Sequence, residues 1–243
     1  QSKLSDRELW LLAQFLLSGR SLGVAVDAKR VDMRAFYASD NDTGLLEFLA
    51  KHGVKVLSTI ILDQQSQPIQ ISMQQGIFMM TNIVQYPPFL IAKSLSSSHP
   101  VTKGLDSIVL PFSSPLELSG PAAKADILAK SSKYSWAKPD KTNPIVVHPF
   151  QLQAAAGNDL KGPFNLATAF EAEFSPAVPA PPKGVKAKSP LKQAARPGRL
   201  AVVGTSKILA QGLGVPAANF VFMLNLMDWL AMDADLISIR TKT

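Results

Sequence analysis

The residues Gly204-Thr205-Ser206-Lys207-Ile208 follow an apolar run, Leu200-Ala-Val-Val203, and set a serine where a strand gives way to a turn. That placement suits an exposed nucleophile, but the elbow motif needs glycine where this chain has Ile208. A strand-to-helix turn capped by Ser206 accounts for the same residues. Gly157-Asn-Asp-Leu-Lys-Gly162 has the glycine spacing of a phosphate loop, yet Pro163 stands where the lysine belongs. Gly212-Leu-Gly214 lacks a third glycine and follows no strand. The three histidines, His52, His99 and His148, lie at no metal-ligand spacing from one another or from a carboxylate. His52 ends a helical segment, where the dipole favours a cation. His99-Pro100 and His148-Pro149 read as turn residues. Asp27 and Asp63 each close an apolar run. Open α/β sheets bind ligands beyond the carboxyl ends of their strands, and ordinary turn aspartates occupy the same kind of position. Both readings of these two carboxylates stay open. The chain has no cysteine, which excludes disulfides, thiol nucleophiles and zinc–thiolate sites. No metal or cofactor is expected.

The elements that must position these groups are legible from periodicity. Ser5-Asp6-Arg7-Glu8 is a capping box, followed by Leu9, Leu12, Ala13, Leu16 and Leu17 at helical spacing and by Gly19 as a stop. Leu22–Val26 is a buried strand, and Thr43–His52 a second helix stopped by Gly53. Strands are expected at Val54–Leu62, Ile69–Ile71, Ile77–Met79 and Ile83–Gln85. The order helix, strand, helix, strand predicts a parallel sheet covered by helices. Tyr86-Pro-Pro-Phe89 forces an extended segment. Ser107–Phe112 and Ala125–Ser131 read as strands. Asn165–Phe174 alternates Leu166, Thr168, Phe170, Ala172 and Phe174 with Ala167, Ala169, Glu171 and Glu173, the pattern of an antiparallel, half-exposed strand. After Arg199 the α/β pattern returns. It gives a strand at Leu200–Gly204, a helix at Phe220–Leu230 and a strand at Leu236–Ile239. Phe220, Met223, Leu224 and Met227 form a helical stripe expected to pack in the core, with Trp229 and Leu230 joining it.

The chain is thus expected to be a single α/β domain over residues 1–243, its ends meeting in one sheet, with a β-rich insertion at 64–198. It opens on a helix where α/β domains usually open on a strand, so it reads as a fragment of a longer protein with a strand upstream. Residues 175–198 hold six prolines and Lys183, Lys186, Lys188, Lys192 and Arg196, with no acid. This Pro/Lys-rich stretch is expected to be a disordered loop. It carries five of the seven net positive charges, so the rest of the chain is nearly balanced. With no aromatics interleaved, it is not a nucleic-acid surface. A solvated linker and attraction to an acidic membrane surface remain its two readings. No apolar run reaches the ~18–20 residues of a membrane span.

Several stretches together carry a family resemblance. They are Leu9–Gly19 with Ser21–Asp27, Tyr86-Pro-Pro-Phe89, Ser98-His-Pro-Val-Thr-Lys-Gly-Leu105, Val109-Leu-Pro-Phe-Ser-Ser-Pro-Leu116, Leu200–Ser206, Asn219–Leu230 and Asp235–Arg240. The chain resembles the GldG-like family of auxiliary components of ABC-type transporters, named for bacterial gliding motility. The resemblance covers most of 4–125 and 199–242 and implies a flavodoxin-like fold. That fold is a three-layer sandwich like the class I glutamine amidotransferases, and a related domain occurs in an intraflagellar-transport subunit. It also implies an extracytoplasmic, periplasmic domain of a membrane-anchored protein, with permease and ATPase subunits as partners. One departure is visible: where the family pattern has Gly-Asp-Ser, this chain has Gly204-Thr205-Ser206.

The leading expectation is a non-enzymatic accessory domain of a transport complex. The alternative is a module for a glycan or other small ligand, using Asp27, Tyr86, His99, Ser113, Ser114 and Ser206. The third is a hydrolase using Ser206 with His99 and an aspartate.

Overall fold

The computed structural model describes residues 3–75, 78–152, 155–178, 180–185 and 189–231. In chain order the elements are α1 (Asp6–Leu17), β1 (Leu22–Ala25), β2 (Lys29–Asp32), β3 (Tyr37–Asp40), α2 (Leu45–Lys51), β4 (Val54–Val56) and β5 (Ile61–Asp63). Next come β6 (Ser66–Gln75), β7 (Phe78–Ala92), β8 (Ser94–Leu95), β9 (Ile108–Pro111), β10 (Leu116–Leu118), β11 (Asp126–Lys130) and β12 (Ser135–Ala137). The chain continues with β13 (Ile145–Val146), β14 (Leu160–Lys161), β15 (Asn165–Ala172), β16 (Gly198–Val203) and α3 (Ala217–Ala231).

The largest sheet runs β1-β16-β15-β10-β4, with β11 attached along β15 and β8 paired to β11. Three further sheets have three strands each, in the orders β14-β12-β5, β13-β3-β2 and β6-β7-β9. Among the described residues the pairing of β1 with β16 is parallel, and every other pairing is antiparallel. This overturns the flavodoxin-like, amidotransferase-like sandwich expected from the sequence, because the described residues form mostly strands in several sheets, with three α-helices among them. Alternation of helix and strand along the chain did not produce βαβ units. The hairpin β2–β3 intervenes after β1, and β4 lies at the far edge, antiparallel to β10. A short apolar run shows that a strand is buried, not which strand it pairs with.

The main sheet is nonetheless covered on both faces where β1 and β16 meet. Leu200 and Val202 of β16 point into a core with Ala13 and Leu16 of α1 and Phe48 and Leu49 of α2. Ala201 and Val203 point the other way, into a core with Phe222 and Leu226 of α3. Burial on both faces also corrects the half-exposed reading of Asn165–Phe174. Leu166 through Phe170 are all buried. The alanines that look like a solvent face are small residues lining the second core. A third core, with Tyr86, Phe89 and Phe112, lies among the smaller sheets.

Local signals held where they were chemically specific. Ser5 accepts the Glu8 N–H, and the Glu8 carboxylate accepts from Ser5 in return, closing the capping box. The expected strand Val54–Leu62 is split: β4 joins the main sheet and β5 joins β12. Pro87 and Pro88 lie inside β7, beside the point where its register with β6 shifts between Ser66 and Pro68, as the missing N–H groups require. The expected strand at Leu236–Ile239 lies outside the described residues. The stretch 175–198 is tied to α1 in places. Gln14 bonds both the N–H and the carbonyl of Leu191, and the Ala195 N–H donates to Leu17 O.

The helix α3 departs most from expectation. Phe220, Leu224 and Met227 are exposed by 42, 62 and 54%; the buried side chains are Asn219, Phe222 and Leu226, with Met223, Trp229 and Leu230 partly buried against the second core as expected. The helix is apolar nearly all round, so its hydrophobic pattern has no preferred face. Asn219 sets the rotation. Its amide accepts from Val109 N–H and donates to Val109 O and Ile208 O, so this edge of the helix is fastened to β9 and the turn after β16.

Candidate functional site

Two parallel strands ending side by side place the residues that follow them within reach of one another. The Val26 N–H donates to Val203 O, so the pairing of β1 and β16 carries on past their ends. Asp27 therefore meets Thr205, Ser206 and Lys207. One carboxylate oxygen accepts the Ser206 N–H at 2.8 Å. The other accepts the Ser206 hydroxyl and the Lys207 ammonium, both at 2.6 Å. Thr205 Oγ1 donates to Pro111 O at 2.7 Å and accepts the Lys207 N–H, which makes Thr205 the cap of the turn. The sequence pattern suggested Ser206 for that capping role, but its hydroxyl is instead spent on Asp27. Burial of Asp27 raises its pKa, but the bonds from Lys207 and Ser206 outweigh it and hold the carboxyl below its ordinary value of 3.8.

A third loop closes this group from the side. Phe112, just after β9, sits at φ 54°, a left-handed conformation that is uncommon and strained for a bulky residue. The turn delivers Ser113 and Ser114 to Gly204. The Ser114 N–H donates to Gly204 O and its hydroxyl to Thr59 O. A methyl group on Gly204 would overlap Ser114 O, so glycine is required by the close approach of two backbones. The Ser113 and Thr59 hydroxyl oxygens are buried here without a hydrogen-bond partner.

The structure thus brings together four of the six candidate ligand residues: Asp27, Ser113, Ser114 and Ser206. Tyr86 belongs to the third core, fully buried, its hydroxyl donating to Val147 O and its ring beside those of Phe89 and Phe112. His99 lies elsewhere. Its Nδ1 accepts the Val101 N–H, and its ring is 5.3 Å from that of Trp229. Trp229 O accepts from Arg199 at the start of β16, whereas Ser206 follows the end of that strand. About 15 Å of α3 separates Trp229 from Asn219, which holds the Ser206 end.

Ser206 therefore has no imidazole beside it. The base it does contact is a carboxylate held below 3.8, which is weak for removing a hydroxyl proton near neutrality. Asp63 closes a turn, accepting from Gln65 N–H, Ser132 N–H and the Ser132 hydroxyl. Among the described residues no three His, Asp or Glu side chains gather as a metal-ligand set. His52 caps α2 as a neutral ring. Burial lowers its pKa to about 4, so the expected cation at the helix end is not what the fold selects. His148 packs between Phe36 and Phe150. Lys207 is the member of the group that the sequence did not single out. Its signal was modest: a cation shortly past a strand end whose neighbouring strand ends in aspartate.

A family model described as an ABC-type uncharacterized transport system matches residues 1–236. No curated protein matches the chain. Among solved structures, the mmIFT52 N-terminal domain aligns with a TM-score of 0.47 at 14% identity, over 96% of this chain and 74% of that one.

Proposed function

This chain belongs to the family described as an ABC-type uncharacterized transport system, and on that premise we propose that it is a non-catalytic accessory domain that docks onto another subunit of such a system. The family match over nearly the whole chain carries this reading. In it the domain sits on the extracytoplasmic side of an inner membrane, in a membrane-anchored parent, with permease and ATPase subunits as partners.

The outward face of α3 supports docking. Phe220, Val221, Leu224 and Met227 recur at helical spacing on one exposed face. Contiguous exposed apolar surface of this kind marks interaction sites. Asp228 is the one charged residue of the helix, so the face offers nothing to an anionic membrane surface or an acidic polymer. It fits an uncharged apolar helix face of a transporter subunit, read through anchors at i, i+1, i+4 and i+7. The constellation around Asp27 is in keeping with a non-catalytic role, because the Ser206 hydroxyl is committed to a carboxylate.

The test is affinity purification of the full-length parent from detergent-solubilised native membranes. Stoichiometric permease and ATPase subunits are expected with the native protein. Leu224→Glu with Met227→Glu should cut their recovery by at least about tenfold, because the contact would have to bury carboxylates. The melting temperature of this variant should stay near that of the native protein, since both side chains already face water. A native protein that emerges alone overturns the accessory reading. Full recovery with the double variant overturns docking through α3.

A further inference from the structure

At the end of β16 opposite Asp27, the chain builds a cleft of about 450 Å³, a size common for small-molecule sites. Phe15, Arg20, Glu171, Arg196, Arg199 and Leu230 line it. Its shape follows from two glycines. Gly19 ends α1 at φ 74°, and the aliphatic stem of Arg196 lies directly over it, where any side chain would overlap Cγ of that arginine. Gly198 opens β16 against the carbonyls of Arg20 and Leu16 with no room for a Cβ. These contacts fold the end of the basic 175–198 stretch back onto the domain and set three guanidinium groups around one space.

The three differ in commitment. Arg199 is buried, donates to Glu171 at 3.1 Å and to Trp229 O at 2.9 Å, and lies 5.4 Å over the Trp229 ring. It serves as an anchored wall. Arg20 lies 5.6 Å over the ring of Phe15. Among the described residues neither Arg20 nor Arg196 has a carboxylate partner. Glu171, already engaged by Arg199, is the one acid lining the cleft among the described residues. The described lining of the cleft therefore carries a net charge of about +2, with aromatic and aliphatic surface beside it.

We propose that this cleft binds a small organic molecule through a phosphate or carboxylate group, held by the forks of Arg20 and Arg196. A guanidinium presents paired N–H donors that match two oxygens of such a group, which a lysine ammonium does not do. The cleft is larger than one oxyanion needs, and Phe15 and Leu230 give the rest of the ligand an apolar wall. This inference does not depend on the docking role of α3.

The experiment measures thermal shift and calorimetric binding of the full-length protein with glucose 6-phosphate, citrate and inorganic phosphate. Flotation with phosphatidylglycerol vesicles runs in parallel. Binding of glucose 6-phosphate or citrate is expected. Arg196→Gln or Arg20→Gln should each weaken it by about tenfold or more, and Lys183→Gln with Lys192→Gln should leave it unchanged. Binding confined to the vesicles, and lost in the same arginine variants, assigns the oxyanion to a lipid headgroup. If the lysine and arginine variants weaken binding equally, the attraction belongs to the basic stretch at large and the cleft is not a site. Failure of every probe to bind the native protein also overturns the proposal.

Discussion

A His52→Leu variant is expected to lose much less stability than the native protein as the pH falls from 7 to about 4.5, a range over which His52 alone takes most of about 3 kcal/mol from the native protein. His52 is 1% exposed and sits edge-on to the rings of Phe48 and Phe174, at 4.8 and 5.2 Å. Burial, with no compensating anion, pushes its pKa from 6.5 to about 4. The unfolded chain therefore takes up a proton near pH 6.5 that the folded chain refuses until about pH 4. Between those values the unfolded state binds more protons, so stability rises with pH and is lost on acidification. Every tenfold difference in proton affinity between the two states is worth about 1.4 kcal/mol, and the gap from 6.5 to about 4 gives the total. His99 is also lowered, by burial that outweighs the attraction of Asp126, and works in the same direction. The variant should thus retain a shallower slope. Urea unfolding at pH 7, 5.5 and 4.5 reads this directly. Parallel losses in native protein and variant would show that His52 already accepts its proton in the folded state.

The same histidine shows where the sequence could be read and where it could not. Its place at the end of α2 was visible, because Gly53 stops the helix and the stop has a local chemical cause. Its charge state was not, because Phe174 reaches it from a segment 122 residues away. A helix dipole favours a cation by about 0.3–1 kcal/mol, and full burial of the ring costs more. The capping box at Ser5 and the strand at Leu200 were legible for the same reason as Gly53: short-range patterns specify them. The rotation of α3 was not legible, since an all-apolar helix gives no moment and one buried amide, Asn219, decides which side faces in. The parallel-sheet expectation failed at the level of pairing. β15 looks half-exposed by its alternation, and its pairings are antiparallel as that pattern implies, yet it is the buried hub that β16, β10 and β11 all join.

Replacing Asp27 with alanine is expected to cost about 3 kcal/mol, and about 6–12 °C in melting temperature for a chain of this size. The substitution leaves the Ser206 N–H, the Ser206 hydroxyl and the Lys207 ammonium without their shared acceptor. Removing one partner from a buried ion pair usually costs about 3–5 kcal/mol. The lower end applies because the Lys207 side chain is 24% exposed and can turn toward water. Asp27→Asn keeps one acceptor oxygen and should cost about half as much. The charge-dependent part is isolated by a cycle with Lys207→Met, with an expected coupling of about 1–2 kcal/mol. Its pH dependence separates it from His52. The Asp27 pKa is lowered from 3.8, so its contribution is complete well above that value and is lost as the pH falls below it. Acid destabilisation should then fall in two windows, one between about 6.5 and 4 that His52→Leu reduces, and one below about 4 that Asp27→Ala reduces, with Asp32, Asp40 and Asp42 also contributing to the second. An Asp27→Ala protein that melts with the native one would mean that β1 and β16 hold their ends together through backbone pairing alone. Asp27 would then be free to serve a ligand at no cost to the fold.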